Sequence, residues 1–212
     1  MKFGFFSAAL LASNIVSAAV PIDGWYSTLF GGSSYLPNNL SASYAGYLLS
    51  NSSFNSGYNA GGSFGYKSNP LRFEGEFTYL HAKVAGFKIN NVKQSNEGGD
   101  ASVPMIMANI YYDFPEIIQS IEPFLGFGIG YSWVDIDFTS AAPSPNISYN
   151  NSSSAFTYQG TAGLTFNYAE HFSLDIAYRY LGTDKVGYLG KIFQANLFTV
   201  GATYRFDGDH YK

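Results

Sequence analysis

Between His171 and Leu181 the chain reads HFSLDIAYRYL, and its hydrophobic residues fall on every second position. Phe172, Leu174, Ile176, Tyr178 and Tyr180 share one parity; Ser173, Asp175, Ala177, Arg179 and Leu181 share the other. Strand side chains alternate between two faces, so this spacing predicts a strand with one apolar and one mixed face. A helix would make Asp175 and Arg179 an i,i+4 surface pair, but would spread the apolar residues around its whole circumference. The same sorting recurs along the chain. Leu71–Tyr79 sets Leu71, Phe73, Phe77 and Tyr79 against Arg72, Glu74, Glu76 and Thr78. Pro104–Phe114 sets Ile106, Ile110 and Phe114 against Met105, Asn109 and Asp113, and Pro123–Trp133 sets Leu125, Phe127 and Ile129 against Gly126, Gly128 and Gly130. Gly57–Lys67, Ala155–Tyr168 and Phe193–Phe206 follow suit, and Gly24–Gly31 completes a set of eight.

The polar faces are rich in Gly, Ser and Thr with a few charges, while the apolar faces carry Tyr, Trp and Phe. A soluble sandwich would turn its apolar face inward. Here the composition suits lipid outside and a packed polar interior, with aromatic girdles at the interfaces. Backbone groups in lipid must all be paired, so such a sheet must close. The connections support this. Ser68–Pro70, Pro115–Ile121 and Ala169–His171 are short; Gly32–Asn55, Ala85–Asp100, Thr139–Ser154 and Thr183–Lys191 are longer and alternate with them. Short periplasmic turns and longer outer loops produce that order. The expected fold is all-β: an eight-stranded antiparallel up-and-down transmembrane β-barrel with both termini in the periplasm.

Composition sharpens this expectation. Aromatic residues make up 18% of the 212 and charged residues only 12%, about half the usual charged share. A helical membrane protein would instead show apolar runs of ~20 residues. Lys2 followed by apolar Phe3–Val16 and the small residues Ser17-Ala18-Ala19 reads as a secretory signal peptide over residues 1–19. Residues 20–206 would form the barrel and 207–212 a short periplasmic tail. Without Lys2, 10 basic residues face 15 acidic ones, which argues against nucleic acid as a partner. With no Cys there is no disulfide, thiolate metal site or lipidated N-terminal Cys. His81 and His210 stand isolated in the sequence, so neither a metal nor another cofactor is expected.

GWY at 24–26, LRFEGEF at 71–77, ANIYYDF at 108–114, EPFLGFGIGYSW at 122–133, GTAGLTFNYAEHFSLDIAYRYL at 160–181 and VGATYRF at 200–206 together resemble the eight-stranded outer-membrane barrel family of the opacity-type surface proteins and the OmpA barrel domain. The resemblance implies residence in a Gram-negative bacterial outer membrane and variable surface loops; the six residues after Phe206 leave no room for a C-terminal peptidoglycan-binding domain, so that function is not expected. That family usually ends on an aromatic residue; here Phe206 is followed by DGDHYK.

Charges inside a narrow barrel need partners or water. Lys67, Arg72, Arg179 and Arg205 are expected to meet Glu74, Glu76, Asp113, Glu122 and Asp175 in an interior ion-pair network that plugs the lumen, since eight strands leave a bore filled by side chains. His171-Phe172-Ser173 resembles the His-x-Ser of an outer-membrane lipid A deacylase, but it falls at a periplasmic turn, away from the outer leaflet. The Gly126–Gly130 glycines continue into a strand, not a helix, so they make room for bulky interior neighbours instead of forming a nucleotide loop. No enzymatic activity is expected. The expected role is a monomeric surface protein in contact with outer-membrane lipid and lipopolysaccharide. Its four loops, with Tyr35, Tyr44, Tyr47, Tyr58 and Tyr149, would engage host or envelope proteins. The alternative is a small-solute pore through the lumen.

Overall fold

The computed structural model describes residues 23–36, 40–44, 47–54, 57–89, 92–93, 97–118, 120–140, 147–185 and 192–206. Eight long strands form the barrel: β1 (Gly24–Tyr35), β4 (Gly57–Ser68), β5 (Leu71–Ile89), β7 (Glu97–Asp113), β8 (Ile121–Ser140), β9 (Ile147–Asn167), β10 (Phe172–Lys185) and β11 (Ile192–Arg205). Each pairs antiparallel with its sequence neighbour in this set. The β1–β11 ladder, from Tyr26 against Arg205 to Tyr35 against Asn196, closes the ring. Three short strands, β2 (Leu40–Tyr44), β3 (Tyr47–Phe54) and β6 (Val92–Lys93), lie at the loop end, where β3 and β6 both pair with the far end of β5. The proposed signal peptide and the tail at 207–212 lie outside the described residues.

Each predicted strand is present, but the sheet reaches well into segments expected to be loops. β5 continues ten residues past Tyr79 and β7 begins seven before Pro104. β8 runs on to Ser140, and β9 begins at Ile147. The Gly32–Asn55 segment holds the end of β1 and the β2–β3 hairpin. These extensions are rich in Ser, Asn and Gly, which looks like loop chemistry. The extensions of β5, β7, β8 and β9 pair because each continues a ladder already set in register below it, so propensity yields to the sheet.

The two faces fall as the alternation dictates. Phe64, Phe73, Ile106, Phe127, Leu164, Ile176 and Val200 are exposed outward from the barrel. β1 turns Trp25, Leu29 and Tyr35 outward and buries Tyr26, Phe30 and Ser34 within. On β8, an added side chain at Gly126 would meet the Tyr111 ring, and one at Gly128 would meet Asn109. The glycines therefore admit inward-pointing groups from the neighbouring strand.

The interior is not uniformly polar. Toward the outer loops it holds a continuous apolar cluster that includes Leu36, Leu80, Val103, Met105, Leu181, Phe193 and Leu197. This corrects the expectation of a polar core from end to end. Along β7 the apolar positions change face: Val103 and Met105 point inward, whereas Ile106 and Ile110 point outward. At the same level the outside becomes polar, with Lys83, Asp100, Ser152 and Ser154 exposed. Above this level the wall is built like a soluble protein, and below it like a membrane one.

Candidate functional site: the charged barrel interior

The lower half of the lumen gathers the nine charged residues singled out by alternation. Lys67 at the end of β4, Arg72 at the start of β5, Asp113 at the end of β7 and Glu122 at the start of β8 are brought together at the barrel end that carries the short turns. Lys67 Nζ lies 3.1 Å from Asp113 Oδ2 and 3.2 Å from Glu122 Oε2, while Arg72 Nε donates to Asp113 Oδ1 at 2.9 Å. Two cations thus meet two carboxylates near the short-turn mouth of the barrel. The Arg72 guanidinium also lies over the rings of Phe124 and Tyr111, 4.7 and 5.1 Å from their centroids. Such stacking suits its weakly hydrated planar group.

Higher up, Glu76 anchors a second cluster. Arg179 Nη1 donates to Glu76 Oε1 at 2.6 Å, and Thr78 Oγ1 donates to the same oxygen at 2.6 Å. Asn109 Nδ2 donates to Glu76 Oε2 at 2.7 Å, and Gln159 Nε2 donates in turn to Asn109 Oδ1 at 2.7 Å. The Arg179 guanidinium covers the Phe30 ring at 4.3 Å. The cluster ties β5, β7, β9 and β10 together across the bore. Short charge-assisted bonds of this kind are strong where solvent is excluded.

Asp175 and Arg179, four residues apart on one face, do not pair with each other among the described residues. Arg179 goes to Glu76, and Asp175 accepts from the hydroxyls of Thr165 (2.6 Å) and Thr203 (2.7 Å). Arg205 donates to Asn167 Oδ1 at 2.8 Å and Ser173 Oγ at 3.1 Å, and Glu74 accepts from the Tyr26 hydroxyl at 2.7 Å. Asp175, Arg205 and Glu74 are therefore held by neutral polar groups, a correction to the expectation of ion pairs throughout. The reason is geometric: strand register, not sequence spacing, decides which inward residues face one another. Tyr26, Phe30, Asn109, Tyr111, Phe124 and Gln159 also contact the interior charges, and charge counting overlooked them. Inward parity could have found them.

Between the two charged clusters lies a cavity of about 30 Å³, walled by Phe30, Arg72, Glu74, Tyr111, Asp175 and Arg179 among others. Among the described residues no group of three or more His, Cys, Asp or Glu side chains could hold a metal ion. His171 and Ser173 are separately engaged. His171 Nδ1 lies 3.1 Å from the Arg205 carbonyl, and Ser173 accepts from Arg205. His81 is not isolated in space: its Nδ1 is 3.3 Å from Ser102 Oγ and its Nε2 is 3.6 Å from Asp100 Oδ1, on the outer face near the loops. The sequence separates these groups by about twenty positions; the β5–β7 ladder unites them.

A closed barrel with an apolar exterior and a packed charged interior defines an integral β-barrel of the bacterial outer membrane. The chain belongs to the outer membrane protein beta-barrel domain family, which it matches over residues 6–206. Among solved structures it is similar to Neisserial surface protein A (NspA), at 19% identity with a TM-score of 0.54, covering 86% of this chain and 97% of that one. It is also similar to a major outer membrane protein of Thermus thermophilus, at 13% identity with a TM-score of 0.51, covering 86% and 99%. No curated protein matches the chain. At these identities the likeness is one of fold.

Proposed function

We propose that this protein is a plugged outer-membrane scaffold that presents its four outer loops for contact at the cell surface, in adhesion or in envelope organisation. The observation that carries this reading is the double filling of the lumen. Ion pairs of Lys67, Arg72, Glu76, Asp113, Glu122 and Arg179 occupy the lower half, and the Leu80–Met105–Phe193 cluster occupies the upper half. A solute path would have to break both. Strands that rise past the lipid band lift the loops away from the membrane, and rigid scaffolds with variable loops commonly carry recognition. Tyr35 and Tyr58 stand exposed at the outer end, the kind of residue that anchors interfaces; Tyr44, Tyr47 and Tyr149 have side chains outside the described set. The reading includes removal of residues 1–19 on export, a periplasmic tail at 207–212, a monomer in lipid and lipopolysaccharide, and no catalytic role.

Planar-bilayer recording of the folded, inserted protein tests the plug. The expected result is no steady conductance; a reproducible single-channel current would instead establish a small-solute pore. For the surface role, cells lacking Gly32–Asn55 and Thr139–Ser154 should lose adhesion to host surfaces while keeping the barrel in the membrane. Unchanged adhesion and serum survival would remove the support for a recognition role.

A further inference from the structure

The three short turns differ in chemistry. Ser68–Pro70 and Ala169–His171 carry no large apolar residue, whereas Pro115–Ile121 reads PEIIQSI. Ile117 and Ile118 stand 70% and 64% exposed there, and Glu116 is the turn's single charge. Exposed apolar groups continuous with a larger apolar surface mark a contact. This turn grows directly out of the lipid-facing belt. Tyr112 and Phe114, at and just past the end of β7, are exposed, with ring centroids 5.0 Å apart in an edge-on arrangement. Tyr112 is paired with Leu71 on one side and Leu125 on the other, and both are exposed outward. Across the rim, Asn167 donates its backbone N–H to the Ser120 carbonyl at 2.8 Å, and the next residue, Tyr168, is exposed as well.

The backbone of the turn is prepared to leave water. Phe114 N–H donates to the Pro123 carbonyl at 2.9 Å, Ile117 N–H to the Ile121 carbonyl at 3.1 Å, and Ile121 N–H to the Ile118 carbonyl at 2.9 Å. Pro115 has no N–H to satisfy. Peptide groups already bonded within the protein lose little when water withdraws, whereas unbonded ones lose several kcal/mol each.

We propose that the Pro115–Ile121 turn is a membrane anchor: Ile117 and Ile118 enter the lipid leaflet on the short-turn side and pin that sector of the barrel rim to the bilayer. Lipid is the occupant because the belt that runs into the turn is already seated in it, so the isoleucines extend an existing interface by one turn. The turn holds no Lys or Arg, and Glu116 is exposed beside the isoleucines. Anionic lipid attracts basic segments, so the headgroups this turn fits are zwitterionic. The inference does not depend on the role of the outer loops.

Site-directed spin labelling tests it. The chain has no cysteine, so one nitroxide can be placed at a time. Ile117→Cys and Ile118→Cys, labelled and folded into phosphatidylcholine vesicles, are compared with Phe127→Cys in the belt and Glu170→Cys in a polar short turn. Power saturation reads collision with O2, which concentrates in lipid, against a nickel chelate, which stays in water. Both isoleucine positions should favour O2, as Phe127 does, while Glu170 favours nickel. A nickel preference at either isoleucine position would overturn the proposal by placing the turn in water. Protection from both reagents would overturn it by showing a second copy of the chain over the patch. Added phosphatidylglycerol should leave the O2 preference unchanged; a preference that appears only with that anionic lipid would overturn the zwitterionic assignment.

Discussion

The lower and upper halves of the barrel obey opposite rules. Below the level of Pro104, most apolar side chains face out and charges face in; above it, Leu80, Ala82, Ala101 and Val103 are buried within while Lys83 and Asp100 face outward, and Ser154 is exposed on the neighbouring wall. One continuous set of strands passes through both regions, so backbone geometry cannot account for the difference. The surrounding medium does. Lipid gives no advantage to apolar burial, so the lower interior is held by charge-assisted hydrogen bonds. Water outside the upper half restores the hydrophobic effect, and an apolar core follows.

This contrast orders the expected effects of substitution. The largest falls in the lower interior. Arg179→Ala leaves Glu76 buried without its cation, and should cost ~3–5 kcal/mol in reversible urea unfolding from lipid vesicles. Replacing both members, with Glu76→Leu and Arg179→Met, should recover most of that loss, because a buried pair contributes less than its breakage costs. In the upper interior, Leu80→Ala opens a cavity among fully buried neighbours and should cost ~2–4 kcal/mol. The outer surface separates the halves most directly. Ile176→Lys places a charge against lipid in the lower wall and should cost ~2–4 kcal/mol. Ser154→Lys, on the outward face of the upper wall, should change stability by no more than ~0.5 kcal/mol. Equal costs for Ile176→Lys and Ser154→Lys would erase the boundary at Pro104.

The sequence alone determined the barrel. Period-2 alternation placed all eight strands, the lipid-facing residues of seven of them and the inward parity of the nine charges, because strand geometry ties residue parity to one face whatever the neighbours are. Alternating short and long connections supplied the up-and-down order. Only the tertiary structure decided the rest. Closure through the β1–β11 ladder fixed the cross-strand register, and register chose Glu76, not Asp175, as the partner of Arg179. It also gave Asp175 two threonine hydroxyls and left it facing a cavity with Glu74. The polar strands above the lipid band pair because ladders already in register extend into them. Such pairing is a cooperative property of the assembled sheet, and the residues of any one segment do not encode it.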